Sequence, residues 1–194
     1  MRTIAIEDKT IIEKIKIEYR RRNWIRDLLL FVLSINTGIK LVYLLKLKVS
    51  DVKDKDLLKL KVSDVKDKDF LKIKDNTKVT RIYPLNNEIK ELIKLHCEKR
   101  KNSDYLFASL RDSSKTIDRI EVFRKFKAVC LSLGLSNKYS ISSWRKTFGY
   151  HYYKEYKDLA LLQWLYGQNS PEETLKYIGE KEDINDRLNK EFKL

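Results

Sequence analysis

Hydrophobic positions along the chain follow a helical period first and a strand period afterwards. Residues 7–19 place isoleucines on one face after acidic residues, which predicts a first amphipathic helix. Residues 23–36 are apolar nearly all round, as is typical of a central buried helix. Gly38 follows in an Asn-Thr-Gly stop and suits the left-handed position that ends a helix. A short helix is then predicted from about residue 40 to 47.

The middle of the chain changes to alternating or β-branched runs, which predict strands at 57–61, 70–74 and 79–85. Helical periodicity then returns and predicts helices at 86–100, 117–132, 143–154, 158–167 and 171–178, with a polar last segment at 183–192. The expected fold is α+β and mostly α, with a small antiparallel sheet. Because no linker divides residues 1–180, we expect one domain there, followed by a C-terminal tail at 181–194.

Residues 44–56, LLKLKVSDVKDKD, recur letter for letter at 57–69. A shift of this length turns a helix by roughly 220°, and an odd shift moves every side chain of a strand to the other face. The two copies therefore cannot bury the same leucines within one element, and we interpret them as a local duplication inside a larger domain. The surplus residues either loop out or, as we predict, add a strand at 57–61 to the hairpin.

Charge suggests a class of partner. The 194 residues contain 42 Lys and Arg against 28 Asp and Glu, a net charge of +14. Such an excess is typical of proteins that bind a polyanion, most often nucleic acid, although a lysine-rich composition from an AT-rich genome gives the same balance. No apolar run reaches about 18 residues, so we expect no membrane partner. Cys97 and Cys130 fall on predicted helices, where we expect buried thiols in a reducing compartment.

The carboxy-terminal stretch carries candidate chemistry. SSWRKTFGYHYYKEYKDLALLQWLYGQNSPEETLKYIG at 142–179 holds Arg145 near a helix start, a glycine-containing turn at 167–169 and Tyr177 on a short helix. With RDLLLFVLSINTGIKLVYLLKLKVSDV at 26–52, it resembles the tyrosine recombinase (phage integrase) family, whose boxes occur in this order. The resemblance spans nearly the whole chain and implies the catalytic-domain fold of that family.

The resemblance implies cleavage of DNA without a metal or a cofactor. In the family, a tyrosine oxygen attacks a phosphodiester and forms a 3′-phosphotyrosine link with a free 5′-OH, which is covalent nucleophilic catalysis. Paired arginines stabilise the charge that develops on the non-bridging oxygens. A hairpin lysine protonates the leaving oxygen, and a histidine assists proton transfer. We therefore expect double-stranded DNA as the partner. We also expect a cytoplasmic location, for a protein that a bacterium, a phage or a plasmid encodes.

Matched residue by residue, Tyr177 stands at the nucleophile position and Arg145 at the second arginine. Lys74, at the end of FLKIK, matches the hairpin lysine, and Lys78 or Lys72 are the alternatives.

Several positions depart from the family pattern. Lys40 stands where the family has its first arginine, Ser142 where H-x-x-R begins, and Gln168 where a later histidine is expected. Val42 and Tyr43 replace the Ser-Asp or Ser-Glu pair that follows the first arginine in the family. Lysine keeps the charge without the guanidinium fork, serine is no base near neutral pH, and glutamine has no titratable group.

These departures leave more than one function open. The chain is either a recombinase that cuts and rejoins DNA slowly, or a DNA-binding regulator or accessory protein of the same fold with little cleavage. A third hypothesis is a basic helical protein without recombinase ancestry. His151 is the alternative for the missing histidine, but we expect it to be structural and to face away, since it lies roughly 240° round the helix from Arg145.

Surface residues complete the expectations. Basic side chains that could contact phosphates are Arg20, Arg21, Arg22, Lys78 and Lys146. The helical amino-terminal domain that closes a clamp around DNA in full recombinases is not expected here, so this is a fragment or a minimal protein with weaker, more salt-dependent binding. The tail at 181–194 either docks on a neighbouring subunit in a DNA-bound homo-oligomer or frays.

Overall fold

The structure is a computed structural model that describes residues 3–52, 70–74, 79–112 and 114–181. In these ranges the elements are α1 Lys9–Arg21, α2 Ile25–Thr37, α3 Leu41–Leu44, α4 Val49–Val52, β1 Phe70–Lys74, β2 Thr80–Pro84, α5 Asn87–Cys97, α6 Arg119–Ser132, α7 Ile141–Tyr156, α8 Leu159–Tyr166 and α9 Pro171–Ile178. The predicted α+β, mostly α fold is confirmed.

Side-chain caps and glycines set the helix ends. Asp118 caps α6 by accepting a hydrogen bond from the Ile120 amide at 3.0 Å, and Ser170 caps α9 through the Glu173 amide at 3.2 Å. Gly38 ends α2 with a φ of 65°, and its amide donates to the Ser34 carbonyl. The predicted stop at Gly38 is therefore confirmed.

A short helix lies within the predicted range of about 40–47, but it ends earlier than predicted. The helix α3 ends at Leu44, and α4 begins at Val49. Between them, the carbonyl of Leu47 accepts a hydrogen bond from the Leu106 amide at 2.8 Å, and the Val49 amide donates to Asp104 at 2.9 Å. This pairing with a distant segment holds the backbone out of helical geometry. Part of the first repeat copy lies here, while the second copy and the predicted strand at 57–61 lie outside the described residues.

The hairpin confirms two of the predicted strands. The strands β1 and β2 pair antiparallel, with Leu71 opposite Tyr83 and Ile73 opposite Arg81. Leu71, Ile73 and Tyr83 are buried, so one face of the hairpin packs on the helices and the other faces solvent.

The core lies around α2, which is buried almost all round as predicted. Trp144 of α7 is fully buried and meets Phe31 and Phe126 edge-on, with ring centroids 5.5 and 5.1 Å apart. A smaller apolar cluster joins α8 and α9 through Leu162, Tyr166, Leu175 and Ile178. This second cluster positions the helix that carries Tyr177.

Both cysteines of the chain belong to the hydrophobic core. Cys97 and Cys130 are buried free thiols, as predicted. Burial raises the pKa of Cys130 to about 11, which leaves that thiol protonated at neutral pH. Over the described ranges, no helix has both the length and the apolar character needed to cross a bilayer. Those same ranges bring together no cluster of three or more His, Cys, Asp or Glu side chains suited to a metal.

Candidate active site

A cavity of about 310 Å³ lies where the residues after α2 meet the first turn of α7 and helix α9. Lys40, Ser142, Arg145 and Tyr177 all line this cavity, although they lie in three separate parts of the sequence. Arg119, the first residue of α6, lines it too. No described residue on its wall is an aspartate, a glutamate or a histidine. Three cationic side chains without a carboxylate make this cavity suited to an anion.

Arg145 is buried and held in one orientation by its surroundings. Its Nη1 donates to the carbonyl of Gly38, and its Nη2 donates to the carbonyl of Leu165 at 3.4 Å. The guanidinium lies 4.0 Å from the ring centroid of Tyr166, and the Tyr166 hydroxyl donates to the backbone carbonyl of Arg145 at 2.6 Å. These contacts hold a positive charge on the cavity wall before any ligand binds.

Tyr177 reaches the cavity from the last turn of α9. Its ring meets Tyr166 edge-on with centroids 5.4 Å apart, and Lys146 Nζ lies 5.2 Å from the Tyr177 ring centroid. Burial raises the pKa of Tyr177, while the charge of Arg145 and a hydrogen bond with it act in the opposite direction. The Tyr177 phenol and the Arg145 guanidinium therefore lie close enough for the charge of Arg145 to favour the phenolate.

Gln168 does not line the cavity. Its Nε2 donates to the backbone carbonyl of Glu173 at 3.4 Å, while its buried Oε1 has no hydrogen-bond partner among the described residues. The side chain is thus directed at the first turn of α9.

Of the three candidate hairpin lysines, the two that the structure describes lie on the outer face of the sheet. Lys72 and Lys74 are exposed and do not line the cavity, and Lys78 lies outside the described residues. The inner face instead carries Arg81, whose Nε donates to the carbonyl of Trp164 at 3.2 Å and whose guanidinium lies 5.1 Å from the Trp164 ring centroid. Arg81 therefore connects the hairpin to α8. The sequence analysis missed this role, although strand alternation puts Arg81 on the buried face.

The three consecutive arginines at the end of α1 have acidic partners. Arg21 and Arg22 donate to Glu18 at 2.7 Å, and Arg20 lies 3.3 Å from Glu88. The hydrogen bonds from Arg21 and Arg22 lower the pKa of Glu18 to about 2. Contact between these arginines and phosphate therefore stays a prediction.

Lys146 and His151 both bind the segment before α1. Lys146 Nζ donates to the carbonyl of Thr3 at 2.7 Å. His151 Nε2 lies 3.0 Å from the carbonyl of Ile6, at a distance typical of a hydrogen bond. His151 is not on the cavity wall, which agrees with the expectation that it faces away.

Comparison with known proteins gives the family. The model of the phage integrase family matches residues 7–183. The probable integrase/recombinase YoeC of Bacillus subtilis (strain 168) is 34% identical over 158 residues, which cover 81% of this chain and 80% of YoeC. The hypothesis of a basic helical protein without recombinase ancestry is therefore wrong.

Solved structures share the fold at lower identity. XerA recombinase superposes with a TM-score of 0.70 at 18% identity, over 96% of this chain and 62% of its own. XerH recombinase bound to its difH substrate gives 0.70 at 19% identity, over 97% and 52%. A lambda integrase tetramer on a Holliday junction gives 0.59 at 20%, over 94% and 51%. The chain thus spans between half and two thirds of these proteins. By its sequence match over residues 7–183 and by its fold, this chain belongs to the phage integrase family of tyrosine recombinases.

Proposed function

We propose that this chain cuts and rejoins double-stranded DNA in site-specific recombination or integration, with Tyr177 as the nucleophile. The Tyr177 oxygen attacks the phosphorus, the bond from phosphorus to the 5′-oxygen breaks, and a 3′-phosphotyrosine link forms. The phenol loses its proton, and the leaving 5′-oxygen gains one. The observation that carries this proposal is the single cavity shared by Tyr177, Arg145, Lys40 and Ser142.

Each residue matched to a catalytic position of the family has a part in this proposal. Arg145 and Lys40 stabilise the negative charge on the non-bridging oxygens, and the Ser142 hydroxyl donates a further hydrogen bond. Lys74 protonates the leaving oxygen once the hairpin lies against DNA. Gln168 reaches the phosphate only if its amide leaves the Glu173 carbonyl, so we assign it the smallest part.

A DNA-binding protein without cleavage is the second candidate. It is favoured by the cavity wall, where no described residue titrates near neutral pH as a histidine does, and by the orientation of Gln168. Both candidates place DNA over the same cationic surface, so they differ only in whether a covalent bond to Tyr177 forms.

Trapping the covalent intermediate tests the proposal. The full chain is incubated with duplexes that carry a randomised centre and a nick that lets the cleaved end diffuse away, and adducts are separated under denaturing conditions. Wild type and Tyr156→Phe, which removes an exposed hydroxyl on α7, should both form adducts, whereas Tyr177→Phe should form none. Binding of the pool by wild type without any adduct would instead establish the second candidate.

Adduct formation should accelerate as pH rises through the mildly alkaline range. Burial raises the pKa of Tyr177, so at lower pH the reactive phenolate is a small fraction that grows about tenfold per pH unit. Single-turnover rates measured from pH ~7 to pH ~9 should keep increasing, with no plateau above pH ~6.5 of the kind a histidine base gives. A rate that is flat over this interval would show that another group takes the proton. Circular dichroism at each pH checks that the fold persists.

Assembly on DNA is also part of the proposal. The lambda integrase structures hold a dimer on a core site and a tetramer on a Holliday junction. By analogy, we propose that this chain forms homo-oligomers on DNA in a bacterial, phage or plasmid setting. The tail at 181–194, proposed to dock on a neighbouring subunit, lies outside the described residues beyond Lys181.

A further inference from the structure

Among the described residues of the cavity wall, one cationic side chain was not assigned a role by the family resemblance. Arg119 begins α6 and lies on the same wall as Lys40, Arg145 and Tyr177. It is solvent-exposed, and no acidic side chain in the described part of the chain forms an ion pair with it. The neighbouring acids are engaged elsewhere: Glu121 binds Arg26 at 3.0 Å, and Asp118 caps α6. Arg119 thus differs from the arginines of α1, which already have acidic partners.

The existing donors leave room for another guanidinium. Of the five N–H groups of Arg145, one donates to Gly38 and one donates to Leu165. At most three remain for a phosphate and for Tyr177, which lines the same cavity. Lys40 supplies a point charge on a flexible stem and cannot clamp two oxygens of one phosphate as a guanidinium does. A phosphate in this cavity would therefore lack the second bidentate partner that arginine provides.

We propose that Arg119 supplies this missing guanidinium and binds the phosphate in the cavity together with Arg145. The inference rests on the proposed function, because it deepens the same site: the scissile phosphate of DNA is the ligand, and Arg119 contacts its non-bridging oxygens. In this chain, Arg119 of α6 thus supplies the guanidinium that is missing at position 40, where the family has its first arginine and this sequence has lysine.

Orthophosphate is the probe, because its binding requires no cleavage and no known target sequence. Binding to the full chain is measured at constant ionic strength from the phosphate-dependent rise in the unfolding midpoint. Arg119→Ala should weaken phosphate binding by ~10- to 100-fold, as expected for the loss of a charge-assisted hydrogen bond. Arg124→Ala removes an exposed arginine of the same helix that is not on the cavity wall, and it should bind phosphate as wild type does.

A rescue variant separates a phosphate contact from a general effect of charge. Adding Lys40→Arg to Arg119→Ala should restore most of the lost affinity, since it returns a second guanidinium to the same cavity. Because Arg119 is exposed, its replacement should leave the unfolding midpoint in phosphate-free buffer unchanged. Equal phosphate affinity in wild type and Arg119→Ala, equal losses in Arg119→Ala and Arg124→Ala, or no effect of phosphate on wild type would each overturn the inference.

The two proposals fail in different ways. If phosphate affinity depends on Arg119 but no covalent adduct forms, the cleavage proposal fails and Arg119 still belongs to the anion site. If adducts form at Tyr177 while phosphate affinity is indifferent to Arg119, cleavage stands and the inference about Arg119 is wrong.

Discussion

Replacing Arg145 with alanine should lower the single-turnover rate of adduct formation by about 10²–10³-fold, the usual cost of one preorganised donor to a developing oxyanion. The guanidinium lines the same cavity as the Tyr177 hydroxyl and is already oriented by the Gly38 and Leu165 carbonyls. It therefore reaches the transition state without the reorganisation that a mobile side chain would require. Arg119 and Lys40 stay in place, so the loss should be large but not total.

Two comparisons isolate the role of the guanidinium. Arg145→Lys keeps the positive charge and loses the fork, so it should recover part of the rate lost in Arg145→Ala. Arg124→Ala should cleave at the wild-type rate, because Arg124 is exposed and is not on the cavity wall. An Arg145→Ala protein that cleaves within about threefold of wild type would remove this residue from the mechanism, since the loss of one preorganised oxyanion donor costs far more than that factor.

The same substitution should also reduce stability. Without the guanidinium, the buried carbonyl of Gly38 loses its donor, which costs about 1–3 kcal/mol, and the longer, partly buried hydrogen bond to Leu165 is lost as well. These carbonyls lie after α2 and in α8, so Arg145 joins three helices at the base of the cavity. Urea unfolding of Arg145→Ala against wild type measures this effect independently of DNA.

Local sequence patterns predicted most of the fold because most elements are long enough to show their period. The buried helix α2 and the hairpin of β1 and β2 are examples, since one is apolar all round and the other alternates. The division between α3 and α4 could not be predicted in this way. It depends on the pairing of Leu47 with Leu106, a contact between residues far apart in the sequence that no local period records.

The residues of the candidate site could be predicted where they lie in the two sequence boxes that resemble the family. Lys40, Ser142, Arg145 and Tyr177 were expected together, and they line one cavity. Arg119 was missed because α6 lies outside those boxes, and a first-turn arginine looks like any surface charge. The orientation of Gln168 toward Glu173 was also missed, since it depends on the turn between α8 and α9.

Gly149→Ala should displace residues of the candidate site, although Gly149 itself does not line the cavity. A methyl group at this position of α7 would lie 2.5 Å from the Tyr166 hydroxyl and 2.6 Å from Cγ2 of Ile178. Both contacts are too short, so the buried side chains of Tyr166 and Ile178 must shift, and we expect the helices α8 and α9 that carry them to shift with them. Overpacking of this kind costs about 1–3 kcal/mol, and the gain in helix propensity from glycine to alanine offsets up to about 1 kcal/mol of it.

The effect on cleavage should exceed the effect on stability. Tyr166 supports both partners of the reaction, because its hydroxyl binds the Arg145 carbonyl and its ring packs against Tyr177. Ile178 directly follows Tyr177, so moving α9 moves the nucleophile. A displacement of about 1 Å at a reacting atom can lower the rate by about 10²-fold. We therefore expect a loss of that order in adduct formation.

A double-mutant cycle tests this route. Tyr166→Phe removes the hydroxyl that the new methyl group would strike, so adding it to Gly149→Ala should cost less than the two single changes summed. The unfolding free energy and the adduct rate of all four proteins supply the cycle. Strict additivity in both measurements would show that the Tyr166 hydroxyl does not carry the strain from α7 to α9. A Gly149→Ala protein with the stability and cleavage rate of wild type would show that this tight packing does not position Tyr177.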